Sequence, residues 1–345
     1  MSLYMKVILA TPFYHQLRGN TITVRRIARG LNEADVETEV ISITEQVNSI
    51  TALKEADLIH GFNAYRFYQF MKTLSIPITK YTITLTGTDL NHDLTNPNRQ
   101  HDVIACLRDA LAVHVFDEKA KRRILEVLPD LERKLFVIAQ GTSSSSSKRS
   151  PKKTSDLFHF LLPAGIREVK NIPFAIKSLQ KLRQTHHEVR LTIVGPVIEK
   201  KEGELVKEFV LDNDEWVNYE GAIPHSEMEG LYSHADVVLN TSHSEGQSSA
   251  ILEAMSYGLP VLVSKNKGNL SLVTHNKTGL VYEGVEQFIT CALRLVEQES
   301  LRQALGQQAA EYVEKHHSAT QEITAILSMY AFSLNLLKKG ENSND

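Results

Sequence analysis

Short apolar runs alternate with stretches of helical period along almost the whole chain. In its first part, Lys6–Ala10, Glu39–Ile43, Asp57–His60, Tyr81–Thr86, Val113–Phe116 and Phe136–Ala139 have the length and β-rich composition of strands. Between the first two, Val24, Ile27, Ala28 and Leu31 recur at i, i+3, i+4 and i+7, one apolar helix face. Strand and helix in turn mean βαβ units and a parallel sheet. The pattern lapses at Gly141–Asp156, GTSSSSSKRSPKKTSD, which cannot bury apolar surface and reads as an exposed linker or mobile loop. It resumes at Phe158–Pro163, Arg190–Val194, Asp236–Asn240, Pro260–Ser264 and Gly279–Tyr282. The fold class predicted is α/β: two doubly wound, Rossmann-like domains, residues 1–142 and 157–319, joined by a linker over 143–156 and facing across a cleft. At the end, Thr320–Lys339 is helical in pattern, with Ile323, Ile326, Leu327, Tyr330, Leu334 and Leu337 along one side. Pattern alone makes it an ordinary closing helix of the second domain.

Composition narrows the function. A length of 345 residues suits two domains, and 42% hydrophobic with 23% charged residues is usual for a soluble globular chain. The formal net charge of −3 argues against a nucleic-acid binder. Cys106 and Cys291 offer neither a disulfide framework nor metal-ligand spacing, so a reducing cytoplasm is the expected compartment. Val7–Ala10 is too short for a signal-peptide core, and no apolar stretch approaches the roughly 18 residues of a membrane span. Peripheral membrane contact stays open, because KAKRR at Lys119–Arg123 is a basic helix face; the plainer reading is a solvated surface.

The segment richest in chemistry is Ser242–Tyr282, which begins SHSEGQSSAILEAMSYGLPVLVS and ends NKTGLVY. A strand at Asp236–Asn240 runs into a polar loop, then into a helix starting near Ser248 or Ser249. A serine at that position suits an N-cap. The first-turn amides and positive dipole end of such a helix make a phosphate site. Glu245 in the loop and Glu253 in the helix bracket it, and carboxylates suit hydroxyl-rich ligands. One could hold a sugar and the other a ribose. Arg167 and Lys170, in AGIREVKN, are two cations that can stabilise the charge gained by a departing diphosphate. In the first domain, Gly19 lies at the start of a helix where a ligand could approach closely, or is a plain turn glycine.

These residues resemble the family 4 retaining glycosyltransferases. The likeness is carried by Glu245 and Glu253 with seven residues between, EAMSYGLPV, TGLVY, the Arg167/Lys170 pair, TIVGP at Thr192–Pro196 and the YEGAIPHSEMEGLYSHAD stretch. GTDLNHD at Gly87–Asp93 and SEGQSSAILEAM are similar to the glycosyltransferase-domain-containing protein subgroup. The resemblance implies a GT-B fold whose last helix, 320–345, returns to the first domain. It implies metal-independent, anomer-retaining transfer from a nucleotide-diphosphate sugar to an acceptor the sequence does not identify, with no further cofactor. It assigns Arg167 and Lys170 to the diphosphate, Glu245 to the sugar and Glu253 to the ribose. Backbone groups of Gly246, Gln247, Ser248, Ser249 and Ala250 would face the donor, and Ile223 the base. The chain departs from the family in three places. Only Gly19 matches a usual glycine pair, Thr86 stands where a histidine is common, and Gln247–Ser248 replaces an aromatic residue and a glycine. Asp89 and His92 are polar candidates at the Thr86 strand end.

Other signals read as structure. Asp212–Asn213–Asp214 is a turn rather than a metal-binding aspartate pair. His186–His187 and His316–His317 read as surface, without zinc spacing. Neither a G-x-G-x-x-G fingerprint nor a P-loop is present, which disfavours nicotinamide and kinase chemistry.

Overall fold

A computed structural model describes residues 5–16, 19–45, 50–142 and 157–341, so the predicted linker over 143–156 lies outside the described residues. The chain divides into unit 1, Met1–Gly141 with Ser318–Asp345, and unit 2, Thr142–His317.

Unit 1 holds β1 (Met5–Thr11), β2 (Val36–Ser42), β3 (Leu58–Phe62), β4 (Tyr81–Thr84), β5 (Ala112–Val115) and β6 (Leu135–Val137), in the spatial order β2-β1-β3-β4-β5-β6. Every pairing is parallel. Alternation along β1 feeds two cores. Ile8 and Ala10 pack among the residues of one face, Val7 and Leu9 among those of the other, and all four are fully buried. This is why the run reads as continuously apolar. The chain steps from β1 to β2 on one side and then to β3 on the other, so the sheet reverses between β1 and β3.

The last helix, Ala319–Glu341, is part of unit 1. Its buried face differs from the predicted stripe. Ile323, Ile326, Met329, Tyr330 and Ser333 are buried, whereas Leu327, Leu334 and Leu337 are only partly covered. Each fully buried large side chain here contributes about 1.5–3 kcal/mol. The helix lies against Gly19–Glu33 at Gly30, where a Cβ would stand 2.5 Å from Ile323 Cγ1. Beside that contact the buried Glu322 takes a bidentate fork from Arg26, Nε to Oε2 at 2.8 Å and Nη2 to Oε1 at 2.9 Å.

Unit 2 is also six-stranded, with β7 (Phe158–Pro163), β8 (Val189–Val194), β9 (Val217–Tyr219), β10 (Val237–Asn240), β11 (Val261–Ser264) and β12 (Leu280–Tyr282), but in a different order, β12-β11-β10-β7-β8-β9, and wholly parallel. Here the reversal falls between β7 and β10. Ligands of doubly wound sheets sit at the carboxyl ends of the strands flanking such a reversal. Asn213 is buried in a turn, accepting from Trp216 Nε1 at 3.2 Å and donating to Phe209 O at 2.8 Å, with exposed Asp212 and Asp214 on either side. His317 corrects the surface reading of its pair. It is 4% exposed and packs on Tyr312 at 5.4 Å between ring centroids, while His316 is exposed. Among the described residues, no helix is long and apolar enough to cross a membrane.

Candidate functional site

Two loops leave the carboxyl ends of β7 and β10, and the backbone stitches them together. After β7 comes a short 3-10 turn, Glu168–Lys170, with Arg167 extended before it and Asn171 left-handed after it (φ 48°). His243 N donates to Val169 O at 2.9 Å, and Thr241 Oγ1 donates to Lys170 O at 2.8 Å. The turn bearing the two cations is thereby fixed against the loop bearing Glu245.

Glu245 Oε1 collects three donors: Lys170 Nζ at 2.5 Å, Ser242 Oγ at 2.7 Å and Asn240 Nδ2 at 3.0 Å. The two charged side chains are only 14% and 9% exposed. Burial alone would raise the Glu245 pKa. The adjacent ammonium and the three hydrogen bonds override it, and the net shift is downward. Glu245 therefore stays ionised and holds Lys170 in place. The ammonium has three donors, so two remain beyond this bond. Arg167 Nε is buried and, among the described residues, meets no hydrogen-bond partner. A cation so placed is a waiting anion ligand or an uncompensated cost.

Behind this loop lies a polar scaffold that sequence reading missed. Asn269 Nδ2 donates to Asn240 Oδ1 at 3.0 Å and to Ser264 O at 2.9 Å. Ser264 Oγ and Asn266 Nδ2 both donate to Ser242 O, at 2.6 and 3.0 Å. Gly268 presses its α-carbon onto the Glu245–Gly246 peptide. A Cβ there would be 2.5 Å from Glu245 O and closer still to Gly246 O. The only sequence signal was a polar, glycine-containing stretch after a strand; its pairing with a loop more than twenty residues earlier is a property of the fold.

The loop delivers the chain to the helix Ser249–Ser256, with Ser248 at the N-cap position. Contrary to the sequence expectation, the Ser248 hydroxyl makes no cap bond, and its carbonyl takes the amides of Ile251 and Leu252 at 3.1 Å each. No side chain of the helix's own cap competes for its positive end. Gln247 Nε2 reaches Ser271 Oγ at 3.4 Å, and its Oε1 is buried without a partner among the described residues. Ala250 O accepts from Tyr232 OH at 3.4 Å. Further along the helix, Glu253 Oε2 accepts from Tyr232 OH at 3.1 Å, and Oε1 lies 2.9 Å from His225 Nε2. His225 and Tyr232 lay within the family-like stretch but were not singled out. Each Glu253 oxygen has a second acceptor site, so the carboxylate can still take a ligand hydroxyl. Ile223, after β9, is partly buried against the same core as Tyr232, two residues past Gly221, whose φ is +72°.

The predicted residues of unit 1 are a different matter. Gly19 opens its helix, and among the described residues nothing lies within 4 Å of a built Cβ, so packing does not require glycine there. Thr86 and Asp89 form a capping box: Asp89 Oδ2 accepts from Thr86 N at 2.7 Å and Thr86 Oγ1 at 3.0 Å. Burial of Asp89 outweighs these bonds and lifts its pKa to about 7. His92 is exposed at the end of that short helix.

Residues 144–312 match the family model described as glycosyl transferases group 1. Over 315 residues the chain is 26% identical to glycosyltransferase 1 domain-containing protein 1 of Xenopus tropicalis, spanning 87% of this chain and 90% of that protein. Two solved structures share the fold at low identity. The HepE protein of Anabaena in complex with UDP and glucose aligns with a TM-score of 0.74 at 16% identity, over 95% of this chain and 100% of that one. The sucrose-phosphate synthase of Thermosynechococcus elongatus aligns with a TM-score of 0.76 at 15% identity, over 95% and 98%.

Proposed function

We propose that this chain, a glycosyltransferase with GT-B folding and a group 1 domain in its second half, transfers a sugar from a nucleoside-diphosphate donor to an acceptor with retention of anomeric configuration and without a metal ion. The observation that carries this reading is the cluster at the β7/β10 reversal. Lys170 is pinned by an ionised Glu245, and Arg167 Nε is buried in the same turn without a partner among the described residues. Nearby, the Ser249–Ser256 helix begins without a side-chain cap. Fixed cations and a helix N-terminus in a partly desolvated place stabilise the charge that builds on a leaving diphosphate, the task a metal would otherwise serve.

In this reading Arg167 and Lys170 take the diphosphate, Glu253 the ribose, Glu245 a sugar hydroxyl, and backbone near Ile223 the base. Unit 1 takes the acceptor, near Gly19 and Asp89. The bond from the anomeric carbon to the diphosphate oxygen breaks, the acceptor oxygen bonds the same face, and its proton passes to the departing phosphate oxygen. UDP and glucose in HepE support a nucleoside diphosphate as the donor half. A thermal-shift screen of UDP-, GDP- and ADP-sugars tests the donor: one base class should raise the melting point at millimolar ligand or below. Transfer undiminished in EDTA supports the metal-free claim, and activity lost in EDTA but restored by manganese would reject it. A second reading, donor binding without transfer, rests on Thr86. Its hydroxyl is committed to Asp89 and receives Asn63 Nδ2 at 3.2 Å, so Thr86 supplies no histidine chemistry of its own. Donor binding with neither hydrolysis nor transfer on a broad acceptor panel would favour it.

A further inference from the structure

The donor reading uses the reversal of the second sheet and leaves that of the first unassigned. There the chain emerges from β1 and β3, and each exit carries a non-glycine residue in the left-handed region: Phe13 (φ 57°) and Asn63 (φ 68°). Such a conformation costs on the order of 1–3 kcal/mol and persists only where surrounding bonds impose it. Here they do. Phe13 N donates to Thr44 Oγ1 at 2.8 Å, and Phe13 O accepts from Gln16 N at 3.0 Å and Thr21 Oγ1 at 3.3 Å. Asn63 caps the helix Ala64–Thr73 by accepting from Arg66 N at 3.0 Å.

The turn sets two aromatic rings in sequence, and each carries a guanidinium. Arg66 lies 4.7 Å from the Phe13 ring centroid and Arg25 lies 5.2 Å from that of Tyr14. Both arginines are exposed. Neighbouring arginines are committed: Arg26 to Glu322, Arg29 to Glu33 and Arg99 to Asp93. Glu45, just past β2, pairs with His15 at 3.4 Å. Among the described residues, neither Arg25 nor Arg66 has a carboxylate within the 4.0 Å of an ion pair. Stacking uses the face of a guanidinium, restricts its rotamers and leaves its N–H edge for a ligand.

We propose that Arg25 and Arg66, stacked on Tyr14 and Phe13 at the β1/β3 reversal, form an anion subsite for a phosphate monoester carried by the acceptor. The inference rests on the reading that unit 1 takes the acceptor. A monoester carries about −1.5 to −2 charges and three acceptor oxygens, enough for two guanidinium forks, whereas a carboxylate satisfies only one.

Calorimetry on the full chain decides it. Glycerol 3-phosphate, and glycerate as the carboxylate counterpart, are titrated with the donor site saturated by whichever nucleoside diphosphate the screen selects. Glycerol 3-phosphate should bind saturably and at least about tenfold tighter than glycerate. Arg25→Gln/Arg66→Gln should weaken it about tenfold or more, the loss of two charge-assisted bonds, while leaving nucleoside diphosphate affinity within about twofold. Both positions are exposed, so the variant should fold, and an unchanged melting point checks this. Unaltered glycerol 3-phosphate affinity in the double variant overturns the subsite. So do the absence of saturable binding, equal binding of glycerate, and loss of binding in Arg167→Gln alone. If no nucleoside diphosphate binds, the donor reading fails by itself, and the same titration on the unliganded chain still decides the subsite.

Discussion

Both sheets are six-stranded and wholly parallel, yet they reverse at different strands, and the polar groups behind their strand ends differ in charge. In unit 2 the polar groups near the β7/β10 reversal keep charge: an ammonium and a carboxylate are paired, partly buried and fed by asparagine and serine donors. In unit 1 the buried polar chain is neutral. Tyr330 OH lies 2.7 Å from His60 Nδ1, His60 Nε2 lies 2.6 Å from Thr84 Oγ1, Thr84 Oγ1 lies 2.8 Å from His114 Nδ1, and His114 Nε2 lies 2.8 Å from Ile138 O. A carbonyl only accepts, so His114 Nε2 must donate to it, and with both rings neutral, as their burial favours, every direction upstream follows. Thr84 donates to His114, His60 donates to Thr84, and Tyr330 donates to His60. Burial first, and for His60 also the neighbouring His114, lowers their pKa values accordingly. The same resource, buried hydrogen bonding, keeps a charge available in one unit and keeps protons fixed in the other, where it joins the last helix to the sheet.

The contrast predicts where a substitution strikes activity and where it strikes stability. The largest effect should come from Lys170→Met. It strands a carboxylate that is 9% exposed, which costs about 3 kcal/mol or more of stability, and removes a cation from the leaving group. Transfer should fall at least about a hundredfold, near 2.7 kcal/mol of transition-state stabilisation. Glu245→Gln keeps acceptor geometry for Ser242 and Asn240 and should lose less stability than Lys170→Met. Equal melting points for the two variants would show that the pair is not the stabilising unit described. Next comes Gly268→Ala. Its methyl group meets two backbone carbonyls, which cannot swing aside like a side chain end. Overpacking of this kind costs about 1–3 kcal/mol, and the displaced Glu245–Gly246 loop should cut donor affinity severalfold in calorimetry. Glu253→Ala should follow, with about tenfold weaker nucleotide binding from losing a charged acceptor. Unchanged affinity would reject the ribose assignment.

Much of this was legible before any coordinates. Both parallel sheets follow from alternating runs such as Lys6–Ala10 and Phe158–Pro163, and the loop from Glu245 to the helix of Glu253 from its glycine and serines. Stripes and caps are local, so a chain read residue by residue exposes them. What stayed hidden is nonlocal or angular. Gly268 touches Gly246, and His225 reaches Glu253 across 28 positions. The left-handed Phe13 carries no sequence mark, because phenylalanine rarely adopts that conformation. Even the last helix was misread in detail, since Met329 and Ser333, not Leu334 and Leu337, turn inward. A period predicts that a face exists, but not which neighbour covers it.

The smallest effects sharpen the comparison from the unit 1 side, where acid should loosen the neutral chain without touching donor binding at neutral pH. A histidine whose folded pKa is lowered binds its proton only in the unfolded state between that value and the ordinary 6.5 or so, so stability is intact above about pH 6.5 and drains as pH falls below it. Each ring contributes a slope of up to about 1.4 kcal/mol per pH unit. Asp89 works the other way. With its folded pKa raised to about 7, it gains stability as pH falls from 7 toward the ordinary carboxylate range, and so masks part of the histidine loss. Asp89→Asn removes the mask, and its melting point should therefore drop more steeply between pH 6.5 and pH 5 than that of the natural chain. Tyr330→Phe isolates the other end. It deletes the donor to His60 Nδ1, leaves a buried acceptor unsatisfied, and should cost about 1–2 kcal/mol at pH 7.5. It should also flatten the acid slope, because His60 without its donor is easier to protonate in the folded state. A Tyr330→Phe variant as stable as the natural chain, with the same acid slope, would mean that the hydrogen-bonded chain does not hold the last helix to the sheet.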